Sequence, residues 1–116
     1  EVLSNGEQYT GNFRNNLYHG YGVYTFPPGF KYEGEWRNGL THGQGISTYP
    51  NGDTYVGEYV NDVKQGHGIY VFGEGPNYGD KYEGEFKNNL PNGEGLYIHS
   101  DGRKSEGQFR DGIFLE

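Results

Sequence analysis

The 116-residue sequence predicts an all-β protein built from consecutive antiparallel hairpins, and three observations carry that prediction. Glycine fills 22 positions while alanine is absent, so one of the poorest helix formers is abundant and the best is missing. Aromatic residues, which favour strands, make up 17% of the chain. The frame aromatic-x-Gly-x-aromatic recurs along the whole sequence, the mark of a repeat. With only 31% of residues apolar, a thick core closed on all sides could not be filled, and a thin architecture follows.

The frame occurs as YTGNF, YEGEW, YVGEY and YEGEF, and degraded as SEGQF, starting at residues 9, 32, 55, 82 and 105. Its central glycines, Gly11, Gly34, Gly57, Gly84 and Gly107, are spaced by 23, 23, 27 and 23. A second frame, Gly-x-Gly, begins at Gly20, Gly43, Gly66 and Gly93 with spacings of 23, 23 and 27. Both frames lengthen at the same place, which predicts an enlarged loop at 73–80.

Between the two frames sit Asn15-Asn16, Asn38-Gly39, Asn61-Asp62, Asn88-Asn89 and Asp111-Gly112. Asn, Asp and Gly tolerate the positive φ that a type I′ turn needs at both central residues, so each pair predicts a tight hairpin. Closing the turn at Asn38-Gly39 pairs Arg37 with Leu40, Trp36 with Thr41, Glu35 with His42, Gly34 with Gly43 and Tyr32 with Gly45. Alternation then puts Tyr32, Gly34, Trp36, Gly43 and Gly45 on one face, and Glu33, Glu35, Arg37, Leu40, His42, Gln44 and Ile46 on the other. Each Gly-x-Gly is expected to lie bare beneath an aromatic ring. An odd period of 23 keeps the faces in phase only if the second loop is odd, so it should hold three residues, such as Asn51-Gly52-Asp53 or Asp101-Gly102-Arg103. The four-residue insertion is even and turns nothing over.

The pattern YEGEW, NG, HGQG, YPNGDTY resembles the MORN repeat, the membrane occupation and recognition nexus motif, over essentially the whole chain. The resemblance implies an elongated, twisted antiparallel sheet one layer thick, with about four full repeats and terminal half-repeats in one unit over 1–116. Departures are Ser47 in place of an aromatic, Gln65 and Asn92 in place of His, and Ser105 in place of the leading Tyr.

Composition and charge restrict function. A net charge of −7 makes nucleic acid an unsuitable partner, because binding it needs a basic footprint. No apolar run is long enough to span a bilayer. Absence of cysteine removes disulfides and thiolate metal sites and agrees with a reducing, cytoplasmic setting. The chain opens on EVLSNGEQY without an initiator Met, as an excised piece of a longer chain would.

No catalytic residue, metal site or cofactor is expected. His19 and His42 occupy equivalent repeat positions, taken later by Gln65 and Asn92, and Asn12, Glu35, Glu58 and Glu85 stand across the hairpin from them, so they read as cross-strand pairing groups. Ser47, Ser100 and Ser105 stand at variable positions with no nucleophile elbow. The recurring EGE carboxylates read as a solvated face. No helix follows the glycine pairs, so they are not a phosphate cradle.

What remains is a surface. Tyr24, Tyr32, Trp36, Tyr49, Tyr55, Tyr59, Tyr70, Tyr82, Phe86 and Tyr97 are the candidate partner-contact residues, with a thinner aliphatic line of Leu17, Leu40, Val63 and Leu90 opposite. The expectation is a scaffold that holds a peptide or helix of a partner protein, with basic residues chosen by the acidic surroundings. A membrane-contact module is disfavoured by charge. End-to-end homodimerisation through unpaired terminal strands is a further expectation. The family resemblance suggests a cytoskeletal, ciliary or membrane-junction setting.

Overall fold

A computed structural model describes residues 5–115; residues 1–4 and 116, which the repeat reading includes in the array, lie outside the described residues. Ten strands run in chain order: β1 (Gln8–Arg14), β2 (Leu17–Phe26), β3 (Phe30–Arg37), β4 (Leu40–Thr48), β5 (Thr54–Val60), β6 (Val63–Val71), β7 (Lys81–Lys87), β8 (Leu90–Ile98), β9 (Lys104–Arg110) and β10 (Ile113–Leu115). Each pairs antiparallel with the next in one open sheet, and no helix occurs among the described residues. The sheet measures 47 × 25 × 17 Å.

The turns form as their residues dictate. Asn38 and Gly39 have φ of 50° and 85°, and the other four pairs are alike, from Asn15 to Gly112. Each turn after the first also clasps the previous repeat through its backbone; at the third, Asp62 N donates to Thr41 O at 3.0 Å, and Thr41 N donates back to Asp62 Oδ1 at 2.7 Å. The second loops hold three residues as parity requires, but one position earlier than expected. Tyr49 N donates to Asp53 O at 2.9 Å and encloses Pro50-Asn51-Gly52; His99 N donates to Arg103 O at 2.8 Å and encloses Ser100-Asp101-Gly102. The enlarged loop is closed by Phe72 N donating to Asp80 O at 2.9 Å.

Register within each hairpin departs from the simple pairing. Gly34 lies opposite Gly45, not Gly43, and Tyr32 opposite Ser47, not Gly45, because the ladder slips between Gly34 and Trp36. The slip is of two residues, so the assignment of side chains to faces survives. At the bulge Gly43 has φ +88°, a backbone state that L side chains rarely adopt, and the Glu35 carboxylate accepts a hydrogen bond from Gln44 N at 2.7 Å. Glu58 does the same for His67 N at 2.9 Å. These carboxylates are fastened to the bulge and are not a freely solvated row. The histidine pairing is corrected with it: His19 Nδ1 accepts from Asn38 N of the next repeat at 3.2 Å.

The two glycines of each Gly-x-Gly therefore do different jobs. The first permits the bulge; only the second lies under a ring. A Cβ on Gly45 would stand 2.3 Å from Tyr32 Oη, and Gly95 has the same relation to Tyr82. Laid flat over this glycine, Tyr32 donates its hydroxyl to Glu35 O at 2.8 Å; Tyr9, Tyr55 and Tyr82 repeat the contact with Asn12, Glu58 and Glu85. The phenol body is buried while its one polar atom is satisfied, which removes the cost of an unpaired hydroxyl.

These rings form the core. Tyr32 meets Trp36 of its own repeat edge-on at 5.1 Å and 82°, and Tyr59 of the next at 5.3 Å and 87°. Tyr55 does the same with Tyr59 and Phe86, and Tyr82 with Phe86 and Phe109. Edge-to-face geometry sets a ring's positive rim against a negative face, and each pair contributes about 0.5–1.5 kcal/mol beyond area burial.

Candidate functional site

Above this buried tier the same face carries a second tier of rings that no other described residue covers. Tyr24, Phe30, Tyr49, Tyr70, Phe72 and Tyr97 are half-buried. Three of these tyrosines are pinned by carboxylates: Tyr70 donates to Asp53 Oδ2 at 2.5 Å, Tyr97 to Asp80 Oδ2 at 2.6 Å, and Tyr24 to Glu7. Each aspartate uses its second oxygen on a loop amide, Asp53 Oδ1 on Gly73 N at 2.6 Å and Asp80 Oδ1 on Ser100 N at 2.8 Å. The result is an upper tier held at fixed positions, as a rigid contact surface requires.

Electrostatics agree with that role. Burial pushes the Tyr82 phenol up to about 12, and lifts Tyr32, Tyr55 and Tyr59 above the usual phenol range. Burial first and the carboxylate partner second raise Tyr70, Tyr97 and Tyr24. The hydrogen bond from Tyr97 holds the Asp80 carboxyl below its usual range, and that from Tyr24 does so for Glu7. The phenols stay neutral donors and the two carboxylates stay charged.

The expected contact residues divide accordingly. Tyr32, Tyr55 and Tyr82 are 1%, 0% and 1% exposed, and Trp36, Tyr59 and Phe86 are buried with them, so these six hold the sheet together. Tyr24, Tyr49, Tyr70 and Tyr97 line the open surface. Sequence reasoning passed over Phe30, Glu7, Asp62 and Lys64, which line it too. The acids carried a signal, because Glu7, Asp53 and Asp80 each precede a ring-bearing position by 17 residues.

Two hollows open between the rings. One, of about 430 Å³, is lined by Tyr24, Phe30, Trp36, Tyr49, Tyr59, Ser47, Glu7, Asp62 and Lys64 among others. The other, of about 370 Å³, is lined by Tyr49, Tyr70, Phe72, Tyr97, Phe86, Leu90 and Pro91 among others. Tyr49 and Lys64 belong to both. The Lys64 ammonium stands over the rings of Tyr49 and Tyr55, 5.0 and 5.3 Å from their centroids. Among the described residues, no three His, Cys, Asp or Glu side chains are grouped as a metal site would need.

Comparison with protein families identifies the repeat. The model of the MORN repeat matches four times, over residues 9–30, 32–54, 55–75 and 82–102. No curated protein gives a significant match.

Proposed function

The chain belongs to the MORN-repeat family, and from that premise we propose that it is a non-catalytic binding module that holds an extended or helical segment of a partner protein along its aromatic face. MORN repeats are in general protein- or membrane-interaction modules without enzymatic activity. The observation that carries the finer reading is the uncovered upper tier: half-buried rings, fixed by carboxylates, flanking two hollows. Aromatic side chains held in place lose little entropy on binding and supply most of the energy at protein interfaces.

Charge favours a protein over a lipid surface. Lys31, Lys81 and Arg103 stand beside Glu33, Glu83 and Asp101, and Lys64 lies over rings. A net charge of −7 repels anionic headgroups. It attracts a partner with Lys or Arg beside apolar residues. A cytoskeletal, ciliary or membrane-junction assembly is the proposed setting.

The test is capture with a suitable control. Trp36 and Tyr59 are core residues, so replacing them would damage the sheet itself. Tyr49→Ala with Phe72→Ala removes two upper-tier rings, one of them shared by both hollows, and leaves the buried tier whole. Affinity capture and mass spectrometry should return partners with the native chain that the double variant loses, and anionic vesicles should not co-sediment with either at physiological salt. Capture unaltered by the double variant, or clear vesicle binding, overturns the proposal.

A further inference from the structure

The first hollow is where the repeat departs from its own pattern. Tyr24, Tyr70 and Tyr97 are each pinned by an acid 17 residues earlier, but the equivalent pair in the second repeat is Ser47 and Phe30. Both partners of the hydrogen bond are replaced together: the ring at position 47 is lost, and a different ring, Phe30, stands where the acid would be. Ser47 turns instead to the buried tier, sharing a hydrogen bond with Tyr59 Oη at 2.5 Å.

The space so opened has a definite chemistry. Its walls are the rings of Tyr24, Phe30, Trp36, Tyr49 and Tyr59. Among the described residues its charged lining is Glu7 and Asp62 against one ammonium, Lys64, an excess of one negative charge. Ring faces attract cations, and the chain already seats its own Lys64 on Tyr49 and Tyr55 at this border. An anion would meet two carboxylates, and a purely apolar group would take their charge out of water with only the donors of Tyr24, Asn5 and Thr41 beside them.

The geometry points to this hollow as the seat for one side-chain cation of the partner protein, an arginine before a lysine. A guanidinium is weakly hydrated, stacks on ring faces and pairs with carboxylates through several donors. The source of the cation rests on the proposed function above; the chemistry of the seat does not.

A probe separate from any partner makes the test. Trp36 is the only tryptophan, so its indole N–H gives one resolved NMR signal at the wall of the hollow. Titration with N-acetyl-arginine amide should shift it saturably, with a dissociation constant on the order of 1–10 mM. The neutral N-acetyl-citrulline amide should bind at least about tenfold more weakly. Ser47→Tyr combined with Phe30→Asp restores the pattern of the other repeats, fills the space and should abolish the arginine response. Should that variant not fold, Glu7→Gln and Asp62→Asn decide, each expected to weaken arginine roughly threefold. Equal binding of citrulline, an arginine response retained in the filled variant, or indifference to both charge changes overturns the seat. Arginine failing while partner capture still needs the upper tier removes the seat alone; arginine binding while capture ignores that tier removes the docking reading alone.

Discussion

The two hollows of the aromatic face come from one repeat and hold opposite chemistry. Asp62 lines the first and Asn89 the second, at the same turn position. Both do one structural job: Asp62 Oδ1 accepts from Thr41 N at 2.7 Å, and Asn89 Oδ1 from Lys64 N at 2.9 Å. The turn needs positive φ at this position, which glycine supplies at Gly39 and Gly112; where Asp62 or Asn89 stands there, the side-chain oxygen accepts the amide hydrogen bond whether it is charged or neutral. At the upper tier the second hollow keeps Tyr70 and Tyr97, whereas the first has Ser47. The repeat thus fixes shape and acceptors, and its free choices fix what the surface can recognise.

If scaffold and chemistry are separable in this way, damage to the scaffold must hurt both halves alike. Gly45→Ala and Gly95→Ala each place a methyl 2.3 Å from the hydroxyl of a buried tyrosine, Tyr32 or Tyr82. Neither ring can move without breaking its hydrogen bond and its edge-to-face contacts. Each variant should lose about 3 kcal/mol or more in urea unfolding, by equal amounts. A mild effect in one half only would show that the repeats are not mechanically equivalent.

A smaller effect separates the upper tiers. Tyr97→Phe leaves Asp80 with the Ser100 amide and, 4.0 Å away, His99 Nδ1, and should cost about 1–2 kcal/mol. The pH dependence should change with it. Asp80 is held below its ordinary value by Tyr97, so its contribution is complete above the unfolded value of 3.8 and is lost as pH falls through the lower folded value. Urea midpoints of the native chain should therefore fall between about pH 5 and pH 2, and Tyr97→Phe should flatten that fall. Phe30 and Ser47 supply no such pair, so Ser47→Ala should leave the slope unaltered. A Tyr97→Phe profile as steep as the native one would mean that the pinning is not energetic.

What the sequence disclosed follows the same division. Turns were legible because Asn, Asp and Gly have few other reasons to stand in pairs at fixed spacing, and faces were legible because parity alone sets them. Register was not: a two-residue slip preserves parity, so pairing Gly34 with Gly43 satisfied every rule applied to it. The recurrence of Asn12, Glu35, Glu58 and Glu85 opposite the first glycine is the trace of the bulge, whereas the sequence alone reads them as partners of the histidine position and the EGE acids as a solvated face. Depth was hidden for a related reason. Alternation assigns Tyr32 and Tyr49 to one face but does not say which lies flat on bare backbone, since that depends on the slipped partner. Ser47 stood out as a departure; that Phe30 departs with it becomes visible only when the sheet brings both to one hollow.

The smallest expected effect tests the comparison most finely. Exchanging Asp62→Asn and Asn89→Asp moves one negative charge from the first hollow to the second and alters nothing else in the turns. Asn61 and Asp62 have φ of 48° and 69°, and Asn88 and Asn89 have 52° and 72°, a conformation that both residue types accept. The amide oxygen of Asn can accept from Thr41 N as the carboxylate does, and the incoming carboxylate can accept from Lys64 N. Stability should therefore stay within about 0.5 kcal/mol of the native chain in urea titration. Recognition should not: the arginine response at the Trp36 indole should weaken roughly threefold, while amides around Phe86 and Gly112, silent before, should begin to respond. A loss of more than about 1 kcal/mol would mean that the Asp62 charge itself supports the turn. The two hollows would then differ in structure and not only in what they recognise.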